Sequence, residues 1–154
     1  MEYLREMTVD GILYSTDKKL LQIGFVYDFL SLRSYWAGNI PAATVETSIE
    51  NSLCVGMYTD GKQVGFARII TDFATFGYLA DVFVDENFRG QGISKKLMEF
   101  IFTFSFVPGL RRMLLATLDA HGLYSQFGFV PLENPDRIME INQPKIYQKQ
   151  NGEY

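Results

Sequence analysis

A chain of 154 residues with a net charge of −4 suits one domain, which we expect to cover residues 1–154. Its 47% hydrophobic and 21% charged residues are typical of a globular protein and exclude a disordered one. The acidic balance and the scattered basic pairs argue against nucleic acid as a partner, and the single cysteine, Cys54, excludes an internal disulfide.

No segment of the sequence resembles a membrane span or a signal peptide. The longest apolar run, "IFTFSFV", is far shorter than the about 20 residues that cross a bilayer. The N-terminal residues lack the basic and apolar regions of a signal peptide. We therefore expect a cytoplasmic protein with no membrane partner.

The first third of the chain predicts one strand followed by two helices. Residues 11–16 predict a short strand. Apolar side chains at helical spacing, among them Ile23, Val26 and Leu30, predict the first helix. Residues 44–52 follow Pro41 and predict a second, shorter helix with Thr44 as its N-cap.

The middle of the chain predicts three antiparallel strands and a helix. Asp60 and Gly61 stand between two apolar runs and favour a tight hairpin turn, because this pair adopts positive φ readily. Residues 75–84 predict a third strand, so residues 53–84 form a meander. An apolar stripe over residues 93–104 predicts the next helix.

The last third predicts strands at residues 112–118, 128–132 and 136–142, with a short helix before the second of these. The predicted order places about six to seven strands beside about four helices. We therefore predict an α/β (α+β) fold with a mixed, mostly antiparallel central sheet.

A glycine-containing loop joins the third meander strand to its helix. A helix N-terminus offers unpaired N–H groups and a partial positive charge, so Arg89, Gly90 and Gly92 are candidates for an anion site. The spacing excludes a P-loop, and Lys95 stands where a dinucleotide fingerprint needs glycine. A plain turn that needs glycine only for its geometry is the alternative.

Two motifs in this order resemble those of the GNAT superfamily of acetyl-CoA-dependent N-acetyltransferases. The segment from Arg89 to Ser94, "RGQGIS", resembles the family's pyrophosphate-binding motif, with Ser94 where Gly or Ala is usual. "AHGLYSQFGFVPL" at residues 120–132 is similar to its helix-and-strand signature. The predicted element order fits the family over residues 11–142.

The resemblance implies an acetyl-CoA site between two parallel strands that splay apart, at residues 79–84 and 112–118. The pantetheine arm would pair with the first strand and the diphosphate would bind the glycine loop. The implied cosubstrate-binding residues are Val82, Phe83, Val84, Arg89, Gly90, Gln91, Gly92, Ile93, Ser94, Lys95, Thr117, Asp119 and Tyr124. Thr117 occupies a position where the family often has Asn, and Asp119 is a candidate cap for the following helix.

The resemblance further implies direct acyl transfer in a ternary complex, without an acyl-enzyme. Tyr124 matches the family's proton donor to the leaving thiolate. Asp81 is our candidate general base. The alternatives are that the Asp81 carboxylate only accepts hydrogen bonds from neighbouring groups, that His121 is the base, or that a water relay removes the proton. Cys54 lies in an apolar strand and is expected to pack as a small hydrophobe.

The acceptor is expected to be an amine on a small molecule or peptide. Arg33, Tyr35, Trp36 and Tyr78 are the candidate substrate residues, since arginine binds carboxylates and aromatic rings attract ammonium groups. No metal is expected, and a homodimer is left open. A non-catalytic acyl-CoA sensor of the same fold and a nucleotide-binding protein that uses the glycine loop are the competing functions.

Overall fold

The computed structural model describes residues 3–148, and its centre is a six-stranded sheet. The strands follow one another across the sheet in chain order. They are β1 (Glu6–Val9), β2 (Ile12–Ser15), β3 (Leu53–Thr59), β4 (Lys62–Thr71), β5 (Phe76–Val84) and β6 (Arg112–Leu115). Neighbours from β1 to β5 are antiparallel, and β5 and β6 are parallel. The predicted mixed, mostly antiparallel sheet is therefore confirmed.

Four α-helices flank this sheet. They are α1 (Ile23–Asp28), which continues into a π-helical turn (Phe29–Arg33), α2 (Ala42–Glu50), α3 (Ile93–Ile101) and α4 (His121–Ser125). No helix within residues 3–148 is long and apolar enough to cross a membrane.

Two hydrophobic clusters hold the helices on the sheet. In the first cluster, Leu97 and Ile101 of α3 pack with Val55 and Ile69. The second cluster joins α1 and α2 to alternate residues of the same strands, including Cys54 and Phe66. Since successive side chains of a strand point to opposite faces, the separation of Cys54 from Val55 places one cluster on each face of the sheet.

Several predicted boundaries differ from the structure for local reasons. The strand predicted at residues 11–16 is one half of a β1–β2 hairpin, whose Asp10 and Gly11 both have positive φ, as do Asp60 and Gly61. Helix α2 begins at Ala42 and not after Thr44, the predicted N-cap. The observed N-cap is Pro41, whose backbone is extended (φ −66°, ψ 145°). Helix α3 ends at Ile101, and β6 ends at Leu115.

The two strands predicted after α4, at residues 128–132 and 136–142, are wrong. Residues 128–132 have no regular structure, and a 3-10 turn at Pro135–Arg137 is the only helix or strand between residues 128 and 148. The physical reason is the lack of a neighbour: β6 is the last strand of the sheet, and a strand exists only when another backbone pairs with it.

Candidate active site

The candidate site lies where β5 and β6 separate. The parallel pairing runs from Phe76 opposite Arg112 to Leu79 opposite Leu115. Beyond Leu79, β5 continues to Val84 while β6 has ended. One backbone edge of β5 is therefore open over residues 80–84.

A bulge at Asp81 explains the separation. The β4–β5 register shifts between Phe66 and Arg68, and Asp81 has a φ of 52°. Asp is among the few residues that tolerate this left-handed conformation. Because a bulge bends its strand and increases the local twist, the second half of β5 turns away from the direction of β6.

The backbone of β5 presents alternate residues to the open edge. The Asp85 N–H donates to the Val64 carbonyl of β4 at 2.7 Å, so Asp85 and Phe83 direct their backbone groups towards β4. By alternation, those of Val82 and Val84 point into the gap. The Phe83 side chain is buried in the second cluster, stacked on Phe29 at 3.8 Å, and adds no group to the gap.

At the end of β5 the chain forms the loop that begins α3. Gly92 is the N-cap of α3, with a φ of 77° and no side-chain capping bond. The first helical bond runs from the Lys96 N–H to the Gly92 carbonyl at 3.1 Å, which leaves the amides of Ile93, Ser94 and Lys95 ahead of the hydrogen-bonded ladder. Gly90, at φ 78°, precedes them.

The loop is open and positively charged. A Cβ on Gly90 or Gly92 would meet no heavy atom within 4 Å, so the space above both glycines is free. The Arg89 Nε donates to the Val84 carbonyl at 3.2 Å, which holds the guanidinium at the end of the open edge. Arg89, Gln91 and Lys95 are exposed, and Ser94 is half-buried.

A cavity of about 530 Å³ occupies the space between the diverging strands. Its lining contains Tyr35, Trp36, Tyr78, Asp81, Val82, Thr117, Asp119 and Tyr124, together with Arg68. The structure therefore brings most residues predicted for chemistry and for the acceptor to one place.

Two aromatic side chains from the connection between α1 and α2 cover this cavity. The Trp36 Nε1–H donates to Asp81 Oδ1 at 2.8 Å, and the Leu118 N–H donates to the Tyr35 hydroxyl at 3.3 Å. The two rings meet edge to face at 4.9 Å. The connection is thus tied to both sides of the gap.

The carboxylate of Asp81 has a partner on each oxygen. Arg68 Nε lies 2.6 Å from Asp81 Oδ2, and the Arg68 Nη1 also donates to Ser52 Oγ at 3.1 Å. The Asp81 and Arg68 side chains are 10% and 17% exposed. Sequence reasoning missed Arg68, although a lone charge within the apolar "GFARIIT" was a signal for a buried ion pair.

Tyr124 lies at the opposite wall of the cavity, on α4. Its side chain is buried, and burial, followed by the charges of Tyr35 and Asp119, raises the pKa of Tyr124 to about 12. Among residues 3–148 no side chain or backbone group hydrogen-bonds its hydroxyl. The hydroxyl is therefore a protonated donor at neutral pH that faces the cavity without a competing partner.

The remaining candidates lie outside this cavity or have a different local role. His121 is exposed and lines a neighbouring cavity. The Arg33 Nη1 lies 3.7 Å from Asp85 Oδ2, and its guanidinium stacks over Phe29. Thr117 Oγ1, and not Asp119, accepts the bond at the start of α4, from the Ala120 N–H at 3.0 Å.

Cys54 packs as the sequence predicts. It is buried in the second cluster, its Sγ lies 3.6 Å from the Ile49 carbonyl, and burial raises the pKa of the thiol to about 11. The thiolate that a nucleophile requires is therefore disfavoured. Within residues 3–148 no group of His, Cys, Asp and Glu side chains could hold a metal ion.

The sheet with its splayed parallel pair defines the fold of the GNAT acetyltransferases. The sequence profile of the acetyltransferase (GNAT) family matches residues 23–129, and the chain belongs to this family. A candidate acetyltransferase of Gibberella zeae is 31% identical over 134 residues, covering 74% of this chain and 76% of that protein.

Solved structures agree with this assignment. A candidate GNAT acetyltransferase from Xanthomonas campestris pv. campestris is 47% identical, with a TM-score of 0.88, and covers 91% of this chain and 99% of its own. A candidate acetyltransferase from Deinococcus radiodurans shares the fold at 17% identity and a TM-score of 0.68, over 96% of this chain and 97% of its own. The predicted resemblance and fold class are therefore confirmed.

Proposed function

We propose that this GNAT protein is an N-acetyltransferase that transfers an acetyl group from acetyl-CoA to a primary amine of a small molecule or peptide. One arrangement carries the proposal: the unpaired edge of β5 runs from Val82, in the cavity that Tyr124 lines, to Val84, just before the loop whose open amides begin α3. A phosphate-bearing thioester fits along this edge, with its anionic part at the loop and its sulfur near the tyrosine.

The chain offers three kinds of contact to acetyl-CoA. The backbone groups of Val82 and Val84 on the open edge of β5 can pair with an extended amide-containing arm, as an added strand would. The amides of Ile93, Ser94 and Lys95 suit the diphosphate. Since Arg89 Nε is held by the Val84 carbonyl, its Nη groups remain for charge-assisted bonds.

Tyr124 would donate its proton to the thiolate that leaves when the amine attacks the thioester carbonyl. The C–N bond forms first, when the amine attacks the carbonyl; the proton then passes from the tyrosine hydroxyl to sulfur as the tetrahedral intermediate collapses and the C–S bond breaks. A pKa of about 12 keeps the group protonated until that moment. A backbone N–H of the open β5 edge, near Val82, is the candidate donor to the oxyanion of the tetrahedral intermediate.

The contacts of Asp81 support a positioning role for its carboxylate. With Arg68 on one oxygen and Trp36 on the other, it fixes the side chain that covers the cavity. We propose that water in the cavity removes the amine proton. Direct deprotonation of the amine by Asp81 is the alternative, and a variant of Asp81 tests it. The aromatic rings of Tyr35, Trp36 and Tyr78 line the same cavity and favour a cationic amine.

The test is a thiol-release assay with acetyl-CoA and a panel of amino acids, polyamines, aminoglycosides and peptides with free N-termini. Release of CoA that depends on one class of amine is the expected result. Protection of the fold by acetyl-CoA without turnover of any amine would instead indicate an acyl-CoA sensor. Protection by ATP or NAD and not by CoA would overturn the proposal in favour of a nucleotide-binding protein.

A further inference from the structure

The charged side chains that line the cavity between β5 and β6 do not balance. In the part of the chain that the structure describes, Arg68 is the one cationic side chain of the lining, and Asp81 and Asp119 are its two carboxylates. Arg68 is already bound, because its Nε donates to Asp81 Oδ2 at 2.6 Å and its Nη1 to Ser52 Oγ at 3.1 Å. The charges of Arg68 and Asp81 cancel, so Asp119 leaves the cavity with a net negative charge.

The carboxylate of Asp119 is available to a ligand. Asp119 is exposed, and no group within residues 3–148 donates a hydrogen bond to its side chain or forms an ion pair with it. Thr117 Oγ1 takes the capping bond at the start of α4. Acetyl-CoA offers a carboxylate no Coulomb attraction, because its charged groups are anionic phosphates. A cationic ligand is the partner that would gain most from Asp119.

Asp119 lies close to the proposed reaction centre. Burial, followed by the charges of Tyr35 and Asp119, raises the pKa of Tyr124 to about 12, and such an effect of a neighbouring charge requires proximity. The preceding residue, Leu118, donates its N–H to the Tyr35 hydroxyl at 3.3 Å, which holds this segment beside the aromatic cover of the cavity. A group bound to Asp119 would therefore share the cavity with the amine that reacts near Tyr124.

Three aromatic rings complete a lining that favours cations. Tyr78 and Ala80 point to the same face of β5 by alternation, and Ala80 is the register partner of Arg68, so Tyr78 lies on the face of the bound ion pair. Tyr35 and Trp36, whose rings meet edge to face at 4.9 Å, line the cavity from the connection between α1 and α2. Aromatic faces attract ammonium groups. A carboxylate of a ligand would instead meet a free negative charge, or would have to separate a largely buried ion pair.

We propose that the acceptor is a linear diamine or a polyamine, of which one amine is acetylated near Tyr124 while a second, protonated amine binds the Asp119 carboxylate. The proposal rests on the proposed N-acetyltransferase function and names its class of amine. The reacting ammonium loses two protons. One goes to water before the attack, and the other returns through water to the Tyr124 oxygen, which has given its proton to the thiolate. The second ammonium keeps its charge throughout.

The first test is a thiol-release assay with acetyl-CoA and three matched sets of acceptors. These are linear diamines of three to six carbons, and the monoamine and the ω-amino acid of each length. At its best length the diamine should exceed the monoamine about tenfold in kcat/KM, after allowance for its two equivalent amines, which is within the contribution of a charged hydrogen bond. The ω-amino acid should be the poorest acceptor of the three.

The outcomes of this assay separate the two proposals. Equal values of kcat/KM for diamine and monoamine, or a preference for the ω-amino acid, would overturn the assignment of a diamine and leave N-acetyl transfer in place. Turnover of no amine at all would contradict the proposed function itself, and the assignment of its acceptor with it.

A variant pair tests whether Asp119 makes the distinction. Asp119→Asn should bring the ratio of kcat/KM for diamine to monoamine near unity, and Asp119→Lys should make the ω-amino acid a better acceptor than the diamine. The control Asp28→Asn removes another exposed carboxylate, outside the cavity lining, and should keep the native ratio. A native ratio in Asp119→Asn contradicts the proposal. So does an equal loss of rate with both amines accompanied by weaker calorimetric binding of acetyl-CoA, which would place Asp119 at the cosubstrate.

Discussion

Asp81 combines a backbone role with a side-chain role in one residue. Its positive φ forms the bulge that bends β5, and its carboxylate binds Arg68 and Trp36. Asparagine also tolerates the left-handed conformation. Asp81→Asn therefore removes the charge and leaves the bulge, so that the two roles can be measured separately.

Asp81→Asn should lower the free energy of unfolding by about 3 kcal/mol, because it leaves the largely buried Arg68 without its counter-charge. Chemical denaturation measures this loss. A second change, Arg68→Met, should restore most of it, since both charges are then absent. If Asp81 is the base, Asp81→Asn abolishes turnover while acetyl-CoA still binds; turnover close to that of the native chain supports the water route.

The hydroxyl of Tyr124 lies at the cavity, and burial raises the pKa of Tyr124 to about 12, so the group keeps its proton over the assay range. Tyr124→Phe should therefore lower kcat about 100-fold, within the usual contribution of a general acid, and leave the affinity for acetyl-CoA unchanged. Steady-state kinetics and calorimetric binding measure the two quantities.

Tyr58→Phe is the matched control for this loss. The Tyr58 hydroxyl is the one buried side-chain polar atom within residues 3–148 that lacks a partner, and it lies outside the cavity lining. Its removal should leave kcat unchanged and the stability equal or higher. Equal kinetic losses in the two variants would remove the assigned role of Tyr124.

At the scale of single elements, the loop before α3 depends on Gly92 for two reasons. Its φ of 77° costs a residue with a Cβ about 1 kcal/mol, and the space above it is open for a ligand. Gly92→Ala should therefore lose about 1 kcal/mol of stability and also bind acetyl-CoA about tenfold more weakly, since a methyl group would stand over the amides.

Gly11→Ala separates strain from ligand contact. Gly11 has the same φ of 77° and the same open surroundings, but it lies in the β1–β2 turn. We expect an equal loss of stability, measured by denaturation, and no change in acetyl-CoA affinity, measured by calorimetry. A similar loss of affinity in both variants would show that strain alone weakens binding.

Local signals were sufficient to predict some elements and not others. Asp60 and Gly61 specify their hairpin by themselves, because the turn needs only positive φ in adjacent residues. The bulge at Asp81 depends on the register of β4, which no short stretch of β5 contains. The pair of Arg68 and Asp81 depends on that same register, so the sequence indicated a charged residue but not its partner.

The strands predicted after α4 show a second limit. The alternation in residues 138–142 is clear in the sequence, yet strand formation depends on a neighbouring backbone. Alternation predicts which side chains share a face of the strand. It does not predict which backbone segment pairs with that strand. By contrast, the apolar stripe of α3 can be recognised in its own residues alone. The start of this helix was predicted at the observed residue, Ile93.

At the scale of the whole molecule, the proposed reaction site adjoins a second cavity, and Tyr124 lines both. The two cavities have volumes of about 530 and 400 Å³. Helix α4, which carries Tyr124, is only five residues long, and so short a helix is stable only through its packing. The Phe129 ring meets the Tyr124 ring edge to face at 5.9 Å, so it supports the position of the tyrosine.

Phe129→Ala should therefore lower kcat about tenfold, because a small displacement of the proton donor slows the reaction, and should leave the affinity for acetyl-CoA unchanged. Steady-state kinetics and calorimetric binding measure the two quantities. Combined with Tyr124→Phe, the same change should cause no further loss of kcat, since the hydroxyl that Phe129 positions is already absent. An equal loss in both backgrounds would show that Phe129 does not act through the Tyr124 hydroxyl, and that the rest of the packing of α4 holds the tyrosine in place.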